Sequence, residues 1–402
     1  MTRKIAWRGL LLGLILLQTS AVVVAQGVNI SGFGTASLSC FSSRTADFAI
    51  NEQPRGAGRS GRCDTGLDSL LGVQLDTALS PTLDLGLQLV ADRNPDRSFN
   101  PNITLAQLRW HATDALTLRF GRMHLATFLH EEDRKVHYAQ PWVRPPLEVY
   151  GLVPPIPNDG LDFIHASTLG NWHVEWHGGA STVAFDTPIK NTRDTAPVES
   201  RQVFLSLSLR QENLLAKLSY GYSRVTLREP QMQQLLDFLR NNVSASLAED
   251  LAIDDSPAHL LTLGLRREWN DWLLIGEFGY RTMQGFSRDQ VGAYVTLGRR
   301  FGQWMPYATL ARRESRGPDA DSRAGFMKAS VDMLLASTRY DRSSVSLGVS
   351  REICPKATLK LQADWTRPDS NSWGLYTNHA PDYNYAHPGT DRLLTLSLDF
   401  VF

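Results

Sequence analysis

After residue 25 the chain has no apolar run approaching the ~18 residues that a membrane-crossing helix needs, which excludes a helical membrane protein. It has no excess of either charge. The 41 basic and 41 acidic residues cancel, so a nucleic-acid partner, which calls for a basic surplus, is not expected. Only three cysteines are present, Cys40, Cys63 and Cys354, and none has the spacing of a metal site. Nucleophile elbows of the Gly-x-Ser-x-Gly type and phosphate-binding loops are missing, so no enzymatic activity and no cofactor are expected.

What is present begins with an export signal. Arg3, Lys4 and Arg8 precede an apolar stretch from Leu10 to Leu17, and Val23-Val24-Ala25 supplies small residues for cleavage, so residues 1–25 read as a signal peptide. The remaining roughly 377 residues (402 minus 25) are long for one soluble domain.

They alternate. In the segment from Leu394 to Phe402, Leu394, Leu396, Leu398, Phe400 and Phe402 share one strand face, and Thr395, Ser397 and Asp399 share the other. The same pattern recurs in Leu71, Val73 and Leu75 against Gln74 and Asp76, and in Leu83, Leu85, Leu87 and Leu89. Counting such segments gives sixteen strands, at 28–40, 67–79, 82–93, 103–112, 115–123, 160–168, 172–181, 201–210, 214–227, 259–269, 272–283, 289–301, 304–313, 343–352, 357–367 and 394–402. Their connections alternate long and short, with 284–288 brief where a long loop is due.

Sixteen alternating strands with short turns on one rim and long loops on the other predict an all-β, antiparallel transmembrane barrel, apolar outside and wet within. The barrel is expected to span residues 26–402, multi-pass, in the bacterial outer membrane with the lipid bilayer as its surroundings. Trp172, Trp269, Trp272, Phe301, Trp304 and Phe402 fall at short-turn ends, where an interfacial girdle belongs. The first two turns carry no aromatic, as a wall facing neighbouring subunits would allow. Helices are expected in two long loops, after Pro230 and over 324–336. Cys40 and Cys63 flank a basic, Gly-rich loop, and spacing alone leaves open whether they are bonded. Cys354 has no partner left.

Sixteen strands, the opening Val28-Asn29-Ile30-Ser31-Gly32-Phe33-Gly34, a terminal Phe402 and a long third loop over 124–158 together resemble the bacterial general and specific porins. The twelve residues Gln140-Pro141-Trp142-Val143-Arg144-Pro145-Pro146-Leu147-Glu148-Val149-Tyr150-Gly151 resemble the third-loop signature of a porin-like group. The resemblance implies that the third loop folds into the barrel and narrows the pore. It also implies a homotrimer with the first strands and the last at the subunit interface, and passive diffusion of small hydrophilic solutes.

Charge in the loop suits that role. Glu131, Glu132, Asp133, Arg134 and Lys135 bring both signs together ahead of the rigid Pro141, Pro145 and Pro146, with Arg144 and Glu148 within the signature. Alternation turns Arg109 and His111 of the fourth strand and Arg119 of the fifth inward, and likewise His173, Glu175 and His177 of the seventh. Arg122 falls outward and is left without a place. Acids facing arginines would sort solutes by charge, with a lean toward anions. His173 and His177 lie about 13 Å apart on a strand, too far to share a metal ion. Two other readings stand beside the channel: a barrel hydrolase with a site at one rim, and a receptor barrel with a closed lumen.

Overall fold

The structure, a computed structural model, describes residues 26–50, 53–189 and 194–402, so the expected signal peptide lies outside the described residues. Sixteen long strands close into one antiparallel barrel. They are β1 (Gln26–Phe41), β2 (Leu70–Ser80), β3 (Leu83–Asp92), β4 (Asn102–His111), β5 (Leu116–Met123), β6 (Asn158–Leu169), β7 (Trp172–Pro188) and β8 (Thr195–Gln211). The second half continues with β9 (Leu214–Leu227), β10 (Ser256–Trp269), β11 (Trp272–Met283), β12 (Asp289–Arg299), β13 (Trp304–Arg316), β14 (Arg342–Cys354), β15 (Ala357–Pro368) and β16 (Asp391–Val401).

The barrel closes where β1 pairs with β16, in a register running from Phe33 opposite Val401 to Phe41 opposite Leu393. Past the last strand residue, Gly32 and Phe402 exchange both backbone hydrogen bonds at 2.9 Å. The rings of Phe402 and Phe400 lie over Gly32 and Gly34, where a Cβ would sit 2.2 and 2.4 Å from them, so a larger residue at either position would have to push the ring aside.

Solvent preference is inverted relative to a soluble sheet. Along β16 the apolar Leu394, Leu396 and Leu398 are 52, 44 and 38% exposed, whereas Thr395, Ser397 and Asp399 are at most 1% exposed. Leu263, Leu310 and Leu169 show the same outward placement on other strands. A sheet with its apolar face turned out is stable only where that face meets hydrocarbon.

Short turns gather on one rim, and their residues explain it. Asn270 and Asp271 both hold positive φ (43° and 67°), the conformation a two-residue hairpin turn matching strand twist demands. The strands β7 and β8 run seven and six residues further than alternation indicated, paired out to Pro188 opposite Thr195. Backbone pairing persists beyond the membrane, where both faces are wet and no apolar alternation is needed.

The third long loop carries one helical turn, α1 (Leu147–Tyr150). The fifth carries α2 (Pro230–Asn242), whose first turn is capped by the Glu229 carboxylate accepting from the Gln231 and Met232 amides, and α3 (Ala245–Leu251). The second expected helix is split: Gly325, at φ 52°, ends a 3-10 turn before α4 (Lys328–Ala336) begins. Leu236, Leu239, Leu247, Leu251, Val331 and Leu335 pack these helices into a lid on the long-loop rim.

On the other side of that rim the first and last loops join in a small ladder, Asp47–Phe48 with Ala57–Gly58 and Tyr376–Thr377, over Phe41, Leu67 and Leu393. Cys40 and Cys63 are disulfide-bonded, and Cys63 sits in a two-residue segment paired to β1 instead of on β2 itself. Cys354, at the end of β14, is free and exposed.

Candidate functional site

The third loop leaves the barrel at Met123 and returns at Asn158, two residues paired to each other, so its 34 intervening residues (124–157) must be accommodated from one point of the wall. They are accommodated inward. Tyr138 Oη donates to the Pro355 carbonyl at 2.8 Å, which places the loop's far end near the short-turn rim.

One side of the loop is fastened to the wall of β9–β15. Lys217 Nζ donates to the Phe128 carbonyl at 2.9 Å and Glu277 accepts from the Leu129 amide at 2.7 Å. Trp142 Nε1 donates to Thr296 and Thr309, and Lys360 Nζ donates to the His137 and Trp142 carbonyls. Around these bonds Phe128, Trp142, Val149, Tyr150 and Leu152 pack on Leu273, Ile275, Tyr294 and Tyr307. The lumen wall is therefore apolar where the loop lies on it. That feature was visible in Trp272-Leu273-Leu274-Ile275, a stretch apolar on both faces.

The other side reaches across to β1–β5. Arg119 of β5 is the hub. It holds Asp162 of β6 through two nitrogens at 2.8 and 2.6 Å, meets Glu132 of the loop at 3.0 Å, and lies 2.8 Å from His177 Nε2. Lys135 meets Asp92 of β3 at 2.7 Å, and His137 Nδ1 lies 3.0 Å from Thr35 of β1. Arg144 grips Asp68, just ahead of β2, with two hydrogen bonds at 2.7 and 2.6 Å, and also donates to Ser39 and Thr395.

The nine residues singled out from the sequence separate into three groups. Arg119 and Glu132 meet across the lumen as wall and loop. Arg109, directly beside Arg119 in the ladder, and His111, two residues nearer the short-turn rim, are inward, paired to Asp76 and Asp84 at 2.7 Å, and neither bonds to the loop. The rest hold the loop's own shape or its seat. Glu131 and Arg134 pair with each other, Arg134 also donates to the Tyr150 carbonyl, and Asp133 faces His130. Glu148 meets Arg342 and Ser344 of β14, each at 2.8 Å. Arg122 is resolved as an outer-face residue, paired to Asp159 at 2.7 Å. Sequence reasoning missed Asp68, Asp92, Asp162 and Lys360. Each sits on the inward parity of a strand or just before one, and only the loop's path makes it a partner.

Two spaces lie beside the loop. The void bounded by Asp68, Asp92, Lys135, His137 and Arg144 is about 30 Å³, room for a water or two. Below it a vestibule of about 420 Å³ opens among Tyr138, Gln140, Arg266, Glu268, Arg300 and Glu352. At the hub, His177 has carboxylate and guanidinium neighbours, and the nearby Ser206 hydroxyl donates to its backbone carbonyl, so no hydroxyl nucleophile is set on the imidazole. Among the described residues no group of three or more His, Cys, Asp and Glu side chains is placed to hold a metal ion.

No protein-family model matches the chain, and no curated protein is detectably similar to it in sequence. Solved structures do match. The outer membrane channel DcaP of Acinetobacter baumannii superposes with a TM-score of 0.56 at 10% identity, over 93% of this chain and 97% of that one. An anion-selective porin from Comamonas acidovorans superposes at 0.53 and 11%, over 94% and 99%. The trimer form of the outer membrane protein OmpT of Vibrio cholerae gives 0.53 and 10%, over 94% and 99%. At such identity the likeness is one of fold. The chain has the sixteen-stranded barrel fold of the outer-membrane porins and is a multi-pass protein of the bacterial outer membrane.

Proposed function

We propose that the barrel is a passive channel for small hydrophilic solutes, metered by the third loop. The observation that carries this reading is the hub: a loop carboxylate, Glu132, is ion-paired at 3.0 Å to a wall guanidinium, Arg119, which holds the loop inside the barrel, with a second wall arginine, Arg109, beside Arg119 in the ladder. A passage narrowed by a charged loop selects by size and charge, because a solute must exchange its hydration for the charges that line it.

The finer reading is a preference for small anions. Two arginines, Arg109 and Arg119, share one level of the wall, and on the opposite wall Arg281 bonds only uncharged oxygens. A homotrimer is proposed as well, with outward Val28, Ile30, Leu71 and Leu89 of β1–β3 at the interface instead of in lipid.

Single-channel recording in a planar bilayer tests the reading. Ohmic steps are expected, with a reversal potential under a salt gradient that favours anions and moves toward cations in Arg119→Ala and Arg109→Ala. Silence in every condition would refute the channel. It would favour a barrel closed until a ligand moves the loop, a reading that the 30 Å³ void beside the loop supports. Ester or peptide hydrolysis by the purified protein would favour an enzyme instead. Cross-linking of the folded protein to trimers tests the assembly, and a monomer only would remove it.

A further inference from the structure

The outer face of the short-turn rim carries a feature that the channel does not use. Arg267 of β10, Arg299 of β12 and Arg351 of β14 lie on the outward parity of their strands, in line with Leu263 and Leu265, Val295 and Leu297, and Leu347. All three are exposed. Each guanidinium lies over a girdle ring: Arg267 is 5.8 Å from the Trp269 centroid, Arg299 is 5.1 Å from Trp272 and 4.9 Å from Phe301, and Arg351 is 4.8 Å from Trp304. The ladder builds this arrangement, since Trp272 pairs with Arg299 and Trp304 with Arg351.

Among the described residues none of the three has a carboxylate partner, although Arg266, next in sequence, does (Glu268, 2.6 Å). Asp271, Arg300 and Lys356 are the charged residues of the adjoining turns, and Glu352 faces the vestibule. The outer rim from β10 to β14 is thus a row of cations on alternate strands, about 10 Å apart. Stacking on a ring engages the face of a guanidinium and leaves its in-plane N–H donors free, the fork that matches two phosphate oxygens. Among the described residues the outward short-turn ends of β1–β9 carry no arginine.

We infer that Arg267, Arg299 and Arg351, each braced on a girdle aromatic, form a binding strip for the phosphate groups of anionic phospholipid in the periplasmic leaflet. Short turns face the periplasm in barrels of this kind, so the leaflet that meets the strip is the inner one. A net anionic lipid fits better than a zwitterionic one because nothing on the protein cancels the three charges. Each arginine at an anionic surface contributes roughly fivefold in partitioning. The acyl chains would lie along the outward leucines above the strip.

The test is native mass spectrometry of the full folded protein, titrated in detergent with phosphatidylglycerol and, in parallel, phosphatidylcholine. The wild type should retain phosphatidylglycerol at least about tenfold better, and the triple variant Arg267→Gln/Arg299→Gln/Arg351→Gln should fall to the phosphatidylcholine level. A control pair at the opposite rim, Arg201→Gln/Arg224→Gln, should leave retention unchanged. Equal retention of the two lipids by the wild type, or of phosphatidylglycerol by wild type and triple variant, overturns the inference. Displacement of bound lipid by millimolar inorganic phosphate would show a soluble-anion site and overturn it too. Should the triple variant not fold, Arg299→Gln alone, over its two rings, should lose roughly fivefold, and no loss overturns the assignment. Unaltered conductance in the triple variant separates this strip from the channel reading.

Discussion

Arg144 offers the sharpest test of how the loop is seated. Its side chain is 6% exposed and its partner Asp68 is 0% exposed, joined through two hydrogen bonds at 2.7 and 2.6 Å. Replacing Arg144 by Leu strands the Asp68 carboxylate in the wall with its strongest donor gone. Removing one partner of a buried pair costs about 3–5 kcal/mol, whereas removing both in favour of apolar residues is close to neutral. The loss falls on the loop's docked state, because the barrel ladder does not involve this pair. At about 1.4 kcal/mol per tenfold, 3 kcal/mol raises the undocked population roughly a hundredfold.

The Val143 amide, bonded to the Gln362 side chain at 3.1 Å, is the local reporter. Its hydrogen exchange in Arg144→Leu should accelerate by about two orders of magnitude, and channel recordings should grow noisier. Arg144 also lies 3.6 Å from the Asp364 carboxylate, so Arg144→Leu with Asp68→Leu and Asp364→Asn should recover most of the protection. If that triple variant exchanges as fast as the single, the stranded charge is not the cause and the reasoning fails. If neither changes, Arg144 does not seat the loop.

Other expectations follow from separate parts of the molecule. Gly32→Leu would drive its side chain into the Phe402 ring, 2.2 Å from the Cβ position, so barrel closure should slow or fail in a refolding assay read by gel mobility, and normal folding would refute the packing at the seam. Reducing Cys40–Cys63 releases a link across 23 residues, and a crosslink of that length stabilises by about 3 kcal/mol in the chain-entropy picture. The first loop should then become protease-sensitive while the barrel stays intact. Asp255, in the loop ahead of β10, is held down to about 2 by hydrogen bonds from Arg224 and Arg201. Its contribution to ordering that loop end is therefore present above the ordinary carboxylate value near 3.8 and lost as pH falls through about 2. Arg224→Gln should raise the midpoint seen by carboxyl NMR, and an unmoved midpoint would break the assignment.

The strands were legible because lipid imposes a demand that each residue answers locally: the outward face must be apolar, so Leu394, Leu396 and Leu398 declare the face of β16 without knowledge of its neighbours. The turns were legible for the same reason, since Asn270-Asp271 and Gly170 suit positive φ by their own chemistry. The ends of β7 and β8 were not, because above the membrane no such demand acts.

The site was legible only in part. The inward parity of Arg109 and Arg119 is a property of alternation, but that Arg119 meets Glu132 while Arg109 beside it meets Asp76 depends on which strand of the wall the loop approaches. Arg144 and Glu148 look alike in sequence to Arg119 and Glu132, and only the structure shows that they meet Asp68 and Arg342. By itself, the order of residues determined a closed, inside-out barrel with short turns on one rim and long loops on the other, because period-two alternation and turn chemistry act over a few neighbours. Which charges face each other across the lumen, whether Cys40 reaches Cys63, and which wall the loop lies on were decided by the tertiary structure. Those pairings join residues dozens to hundreds of positions apart, and their distance is fixed by the closure of the barrel and not by any local rule.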